Sequence, residues 1–104
     1  MEQRKHPRFA VRFPVSFAEE QIEGDGLAWN LSTSGCAVEC ETIVAIGTYV
    51  KMLLCLLEES APIVIDVAAV RWSNAQGFGA EFMGMSVDDQ QRLQRFIAGL
   101  NQKV

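Results

Sequence analysis

The sequence is poor in the residues from which catalytic and metal sites are usually built. Its 104 residues include one histidine, His6, and three cysteines, Cys36, Cys40 and Cys55. Nucleophilic catalysis needs a rigidly held base, whereas His6 lies in the polar segment of residues 1–8, which we call the leader. A structural zinc site usually takes four cysteine or histidine ligands, and the sequence has no C-x-x-C pair. We therefore expect a binding protein rather than an enzyme, with no metal or cofactor, and we interpret the cysteines as core thiols.

Long apolar runs are also missing. The longest strictly apolar stretch, residues 52–57, has six residues, whereas a helix that spans a membrane needs roughly 20. The first eight residues are polar and basic and are followed by no apolar segment of the kind found in signal peptides. An odd number of cysteines fits a reducing compartment. We predict a cytoplasmic protein without a membrane span.

Charge is distributed unevenly along the chain. The net charge is −4, but the first twelve residues carry four bases and one acid, and the other ninety-two carry five bases and twelve acids. The acidic total argues against binding to nucleic-acid polymers. The basic leader has two interpretations. On charge alone, a solvated tail is favoured over an arm that holds a small anion.

Hydrophobic periodicity predicts six strands. Apolar residues alternate with others from residue 9 to residue 17, which is typical of a strand with one buried face. Five further runs are separated by turn residues and cover 27–31, 36–40, 49–57, 63–72 and 78–82. A turn is expected over 19–26, with Gly24 and Gly26 taking positive φ angles.

The period changes near the C-terminus. Ser86 is a suitable N-cap, and four apolar residues then fall on one helical face: Leu93, Phe96, Ile97 and Leu100. The expected fold is mainly β, a small antiparallel barrel or sandwich closed by one helix. We assign a single domain, with the leader at 1–8, the barrel at 9–83 and the helix at 86–102.

Two short motifs carry groups suited to an anionic purine ligand. The first is an R-x-x-x-R pair, Arg4 and Arg8; the second is an N-x-S-x-x-G loop with Asn30, Ser32 and Gly35. A guanidinium can form a bidentate hydrogen bond with guanine O6 and N7 or with a phosphate, or it can stack on a purine. The asparagine can pair with a guanine edge and the serine can donate to a phosphate, while the glycine permits a positive φ and lets a ligand approach the backbone. By itself, the loop could equally be an ordinary Asx or Ser turn.

Together and in this order, the motifs resemble those of the PilZ domain, the bacterial receptor module for cyclic di-GMP (c-di-GMP). Segments 68–72 and 77–82 and the closing helix also fit the family pattern, so the resemblance covers nearly the whole chain. It implies a six-stranded antiparallel β-barrel with the ligand across one end. The implied ligand-binding residues are Arg4, Arg8, Asn30, Ser32 and Gly35. Lys5, after the first arginine, keeps the positive charge but cannot form the bidentate hydrogen bond of an arginine, and it is included in the site.

Two tryptophans lie near these segments. Trp72, at a strand end, is a further candidate that could stack on a guanine, and packing in the barrel core is an open alternative. Trp29 precedes Asn30 by one residue, and in a regular strand neighbouring side chains point to opposite faces. We therefore interpret Trp29 as a core residue.

The predicted function is a bacterial second-messenger receptor for c-di-GMP. Binding is expected to order the leader, which then presents a surface in trans to a downstream protein of unknown identity. One or two ligands per chain, and a monomer or a homodimer, remain open. The alternative is a PilZ-type adaptor that works by protein contact without a nucleotide. A barrel that binds single-stranded nucleic acid is disfavoured by the acidic body.

Overall fold

The alternation of apolar and polar residues produces six strands and a C-terminal helix. The structure, a computed structural model, describes residues 7–56 and 61–101. The elements, in chain order, are β1 (Phe9–Ala18), β2 (Glu23–Ser32), β3 (Gly35–Glu39), β4 (Tyr49–Leu54), β5 (Ile63–Asn74), β6 (Gly77–Gly84) and α1 (Val87–Asn101).

The six strands form a closed antiparallel barrel. Their order around the barrel is β1-β2-β3-β6-β5-β4, and β4 pairs back with β1 to close it. This confirms the six-stranded antiparallel barrel with one C-terminal helix and decides against the sandwich. The antiparallel pairing of β1 with β2 places the start of β1 beside the end of β2.

The barrel interior is filled by the apolar face of each strand. Phe13, Val15 and Phe17 alternate inward along β1 and are almost fully buried, as the period of two predicts. Phe17 meets Phe78 of β6 edge-on, with ring centroids 5.0 Å apart, a favoured geometry for aromatic pairs. This interior fixes the positions of the residues on the outer wall.

The helix packs its apolar stripe onto the barrel. Leu93 and Ile97 are buried in the same core, and the N–H of Asp89 donates to Oγ of Ser86 at 3.1 Å, which confirms the N-cap. Asp89 also accepts the N–H of Val64 at the start of β5, at 3.0 Å, so the helix start is tied to the barrel. Within the described part of the chain, no helix is both long and apolar enough to cross a membrane.

The turn predicted over 19–26 is wrong in extent. The chain reverses within 19–22, and β2 already begins at Glu23. Neither Gly24 nor Gly26 takes a positive φ. A Cβ added at Gly24 would lie 2.8 Å from the ring of Phe17. Here the glycines make room for neighbours that pack across the strand, and they do not form a turn.

A β-bulge in β2 overturns the interpretation of Trp29 as a core residue. Against β3, Ala28 pairs with Val38 and Asn30 pairs with Ala37, so Trp29 is an extra residue. Because Ala28 and Leu31 are both fully buried, Trp29 and Asn30 lie consecutively on the outside, and the Trp29 side chain is 48% exposed. A bulge interrupts the alternation of a regular strand, on which the core interpretation depended.

A second bulge has the same effect in β5. Val70 pairs with Ala80 and Trp72 pairs with Gly79, which leaves Arg71 as the extra residue. Val70 is fully buried, whereas Trp72 is 40% exposed. Trp72 therefore lies on the outer wall, and the alternative of core packing is not what the structure shows.

Candidate functional site

The start of β1 and the end of β2 meet at one end of the barrel. Phe9 pairs with Leu31 in the antiparallel register, which places Arg8 next to the N-x-S-x-x-G loop. Nη1 of Arg8 donates a hydrogen bond to Oδ1 of Asn30 at 2.8 Å, in an exposed position. Two motifs separated by more than twenty residues in sequence therefore share one place on the surface.

Ser32 and Ser34 of the loop differ in burial and are joined by hydrogen bonds. Ser32 is fully buried, and its Oγ accepts the N–H of Ser34 at 3.1 Å and lies 3.1 Å from Oγ of Ser34. This arrangement is a Ser turn. Ser34 is half-buried and therefore more exposed than Ser32, whose hydroxyl fixes the turn.

Gly35 has a packing role that differs from the prediction. Its φ is not positive, so the left-handed conformation that glycine permits is not used here. It pairs with Glu81 at the beginning of β3, and a Cβ at this position would collide with the carbonyl oxygen of Ala80. Glycine is needed because β3 and β6 approach closely here.

A shallow groove of about 210 Å³ opens beside the loop. We call it the arginine groove; its lining includes Arg8, Ser34, Ala37, Arg71, Trp72 and Glu81. The indole of Trp72 lies against the backbone of Gly79, where a Cβ would meet the indole ring. The groove therefore combines two guanidinium groups, a hydroxyl and one face of an aromatic ring.

Three hydroxyl or charged side chains of the groove were not predicted from the sequence as site residues: Ser34, Arg71 and Glu81. Nε of Arg71 and Oε1 of Glu81 lie 2.8 Å apart, with both side chains about half exposed. Arg71 stands directly before Trp72, but a strand of regular alternation would send the two side chains to opposite faces. Only the bulge brings both to the groove, and the sequence has no clear signal for it.

The structure brings together most of the predicted ligand-binding residues. Those described at or beside the arginine groove are Arg8, Asn30, Ser32, Gly35 and Trp72. Arg4 and Lys5 lie outside the described residues, as does most of the leader for which ordering was predicted. Among residues 7–56 and 61–101, no group of three His, Cys, Asp or Glu side chains is arranged to hold a metal ion.

One protein-family model matches almost the whole chain. The model described as PilZ domain matches residues 2–99. The chain belongs to the PilZ domain family. A search of curated proteins finds no match.

Solved structures share the fold of this PilZ domain. The Bacillus subtilis inhibitor of motility (MotI/DgrA) superposes with a TM-score of 0.78 at 23% identity, covering 100% of this chain and 55% of that one. The PilZ domain of CeSA from a cellulose synthesizing bacterium gives 0.67 at 21% identity, covering 92% and 99%. MrkH of K. pneumonia, in complex with c-di-GMP, gives 0.76 at 20% identity, covering 97% and 52%. The chain thus spans about half the length of MotI and MrkH.

Cys36 lies on the core side of β3, beneath the arginine groove of this PilZ domain. Burial raises the pKa of its thiol to about 12, and the nearby Arg8 charge offsets only part of the increase. Because the thiolate is the reactive form, we expect iodoacetamide at about pH 8 to modify the half-buried Cys55 first and to leave Cys36 intact until the protein is denatured. Mass spectrometry of proteolytic peptides measures the order. Modification of Cys36 at the rate of Cys55 in the folded protein would contradict this.

Proposed function

We propose that this PilZ domain is a cytoplasmic bacterial receptor for c-di-GMP. The observation that carries the proposal is the contact between Arg8 and Asn30, which joins the second arginine of the motif to the N-x-S-x-x-G loop beside the arginine groove. Membership of the PilZ family and the fold shared with the c-di-GMP complex of MrkH support it. The ligand has two phosphates and two guanines, which match the guanidinium, hydroxyl and indole groups of the groove.

Arg8 is suited to a change of partner. In the structure its guanidinium donates one hydrogen bond to a neutral amide oxygen in an exposed position, where water competes for both groups. A phosphate or a guanine edge offers a two-pronged, partly charge-assisted contact that is stronger. We propose that c-di-GMP takes Arg8 in this way while Asn30 is released to a guanine edge and Trp72 stacks on a base.

The proposal extends to segment 1–8. A ligand that contacts Arg4 as well as Arg8 would order this segment across the barrel end, at the cost of part of the binding energy. The new surface then signals in trans to a protein partner. Amide hydrogen exchange tests this step: we expect slower exchange in residues 2–8 when c-di-GMP is bound, and unchanged exchange at saturating ligand would overturn it.

Titration calorimetry with c-di-GMP tests the proposed function. We expect a dissociation constant on the order of a micromolar or lower. Cyclic di-AMP is expected to bind much more weakly, because adenine replaces the O6 acceptor of guanine with an amino donor. The absence of heat at high micromolar c-di-GMP, with folded protein, would count decisively against the receptor.

A nucleotide-independent adaptor is the second candidate. Three large apolar side chains between β3 and the start of β4 are strongly exposed: Ile43, Ile46 and Tyr49. All three fall within residues 43–49, and large apolar side chains left exposed favour a protein contact. The same titration separates the candidates, since an adaptor would give no heat with c-di-GMP and would keep its partner binding when the ligand is added.

Glu81 is predicted to weaken ligand binding. Its carboxylate lines the arginine groove and pairs with Arg71, so a phosphate must approach a negative charge and compete for the same guanidinium. For Glu81→Gln we expect about two- to fivefold tighter c-di-GMP binding, in keeping with an exposed pair worth at most about 1 kcal/mol. Calorimetry measures it, with Glu23→Gln at the other end of β2 as the control. Equal or weaker binding by Glu81→Gln would contradict the assignment.

A further inference from the structure

A second depression lies on the other side of Trp72. It has a volume of about 380 Å³, and we call it the tryptophan depression; its lining includes Arg12, Trp29, Glu39, Trp72, Gln76 and Gly77. Trp72 also borders the arginine groove, so the two concave surfaces share one wall. The bulges in β2 and β5 are what turn both indoles outward.

The depression has a fixed frame. Oδ1 of Asn74 accepts the N–H groups of Gln76 at 2.8 Å and Gly77 at 3.1 Å, which holds the turn between β5 and β6. The carbonyl of Gln76 in turn accepts the N–H of Cys40 at 2.9 Å. Because the frame is built before any ligand arrives, little ordering is needed for a rigid ring to bind.

We propose that the tryptophan depression is a purine subsite that takes a guanine base. The inference rests on the proposed function, because it extends the c-di-GMP site to a second base beyond Trp72. The base is either the second guanine of a c-di-GMP molecule held in the arginine groove or a guanine of a second molecule. Both sources present the same ring, and the number of ligands bound per chain separates them.

The side chains around Trp29 match the edges of guanine. The indole of Trp29 is half exposed and offers a face for stacking, which for bases on aromatic side chains contributes roughly fivefold to a hundredfold in affinity. Arg12 belongs to the irregular stretch of β1 that faces Trp29 and lines the same depression, and it can donate two hydrogen bonds to O6 and N7. The exposed carboxylate of Glu39 can accept from the N2 amino group, a donor that adenine lacks.

Fluorescence and calorimetry with c-di-GMP test the inference on the intact chain. Trp29 and Trp72 are its two tryptophans, so Trp72→Phe leaves Trp29 as the reporter and keeps an aromatic ring in the groove. We expect c-di-GMP to quench Trp29 emission. We expect Trp29→Ala to bind at least fivefold more weakly or to lose one of two binding events. Trp29→Phe, which keeps an aromatic ring, should retain most of the wild-type binding. Tyr49→Ala, another exposed aromatic, is the control and should bind like the wild type.

The outcomes separate this inference from the proposed function. If the wild type binds c-di-GMP and Arg8→Ala does not, while Trp29→Ala keeps wild-type affinity and stoichiometry and Trp29 emission stays constant, the subsite is overturned and the receptor stands. If the wild type gives no heat, both are overturned. A third readout is base selection: Glu39→Ala, which removes the acceptor for N2, should reduce the preference for c-di-GMP over cyclic di-AMP, and an unchanged preference would contradict the guanine assignment.

Discussion

Replacement of Arg8 by alanine is expected to weaken c-di-GMP binding roughly ten- to a hundredfold. The reason is that a hydrogen bond to a charged group contributes about 1.5–3 kcal/mol, and Arg8 is the described residue in which the arginine motif, the N-x-S-x-x-G loop and the groove meet. Calorimetric titration measures the change. The loss should appear with little change in thermal stability, because the bond from Arg8 to Asn30 is exposed.

The matched control is Arg95→Ala on the exposed side of the helix, which removes the same charge from a residue that does not line the groove and should leave binding unchanged. Binding by the wild type should also weaken as ionic strength rises, because exposed charge contacts are screened by salt. Equal losses in both variants would mean that only net charge matters. Equal affinity of Arg8→Ala and the wild type would remove Arg8 from the site.

Gly35→Ala is expected to lower the free energy of unfolding by about 1–3 kcal/mol, the usual cost of overpacking. For a domain of this size, that corresponds to a fall in Tm of roughly 5–20 °C. The added Cβ would collide with the carbonyl oxygen of Ala80, so either β3 and β6 separate or the loop before Gly35 shifts. Because that loop holds Ser34 beside the groove, c-di-GMP binding should fall as well. Thermal unfolding followed by circular dichroism measures the first effect.

Gly99→Ala provides the contrast on the helix. A Cβ at Gly99 would meet nothing within 4 Å, and alanine is the better helix former by up to about 1 kcal/mol. The two glycine substitutions should therefore change Tm in opposite directions. A Gly35→Ala protein as stable as the wild type would show that β3 and β6 can move apart freely, and the account of this glycine would be wrong.

Much of the barrel is predictable because its physical cause is local. The alternation along 9–17 identifies β1 and its buried face, and the period of the C-terminal stripe identifies the helix. The meeting of Arg8 with Asn30 also follows from the sequence once the first two strands are known to be antiparallel neighbours, since the beginning of one then lies beside the end of the other. The motif residues and the fold therefore support one another.

The rest depends on contacts that the sequence does not reveal. An extra residue in β2 turns Trp29 outward, and another in β5 places Arg71 beside Trp72; a bulge depends on the register of the partner strands, which no single segment encodes. Gly24 and Gly35 look like turn residues, but each is a glycine because neighbouring parts of the chain leave no space for a side chain. These long-range effects create most of the tryptophan depression and part of the arginine groove.

Amide NMR spectra of the isotopically labelled protein, recorded during titration with c-di-GMP, test the central claim most directly, because they report both binding and its location. The account predicts that the largest shifts occur at Arg8, Asn30, Ser34 and Trp72, with little change at Ser16 and Lys51 toward the opposite end of the barrel. Spectra that stay unchanged at saturating ligand, or shifts concentrated at that opposite end, would contradict it.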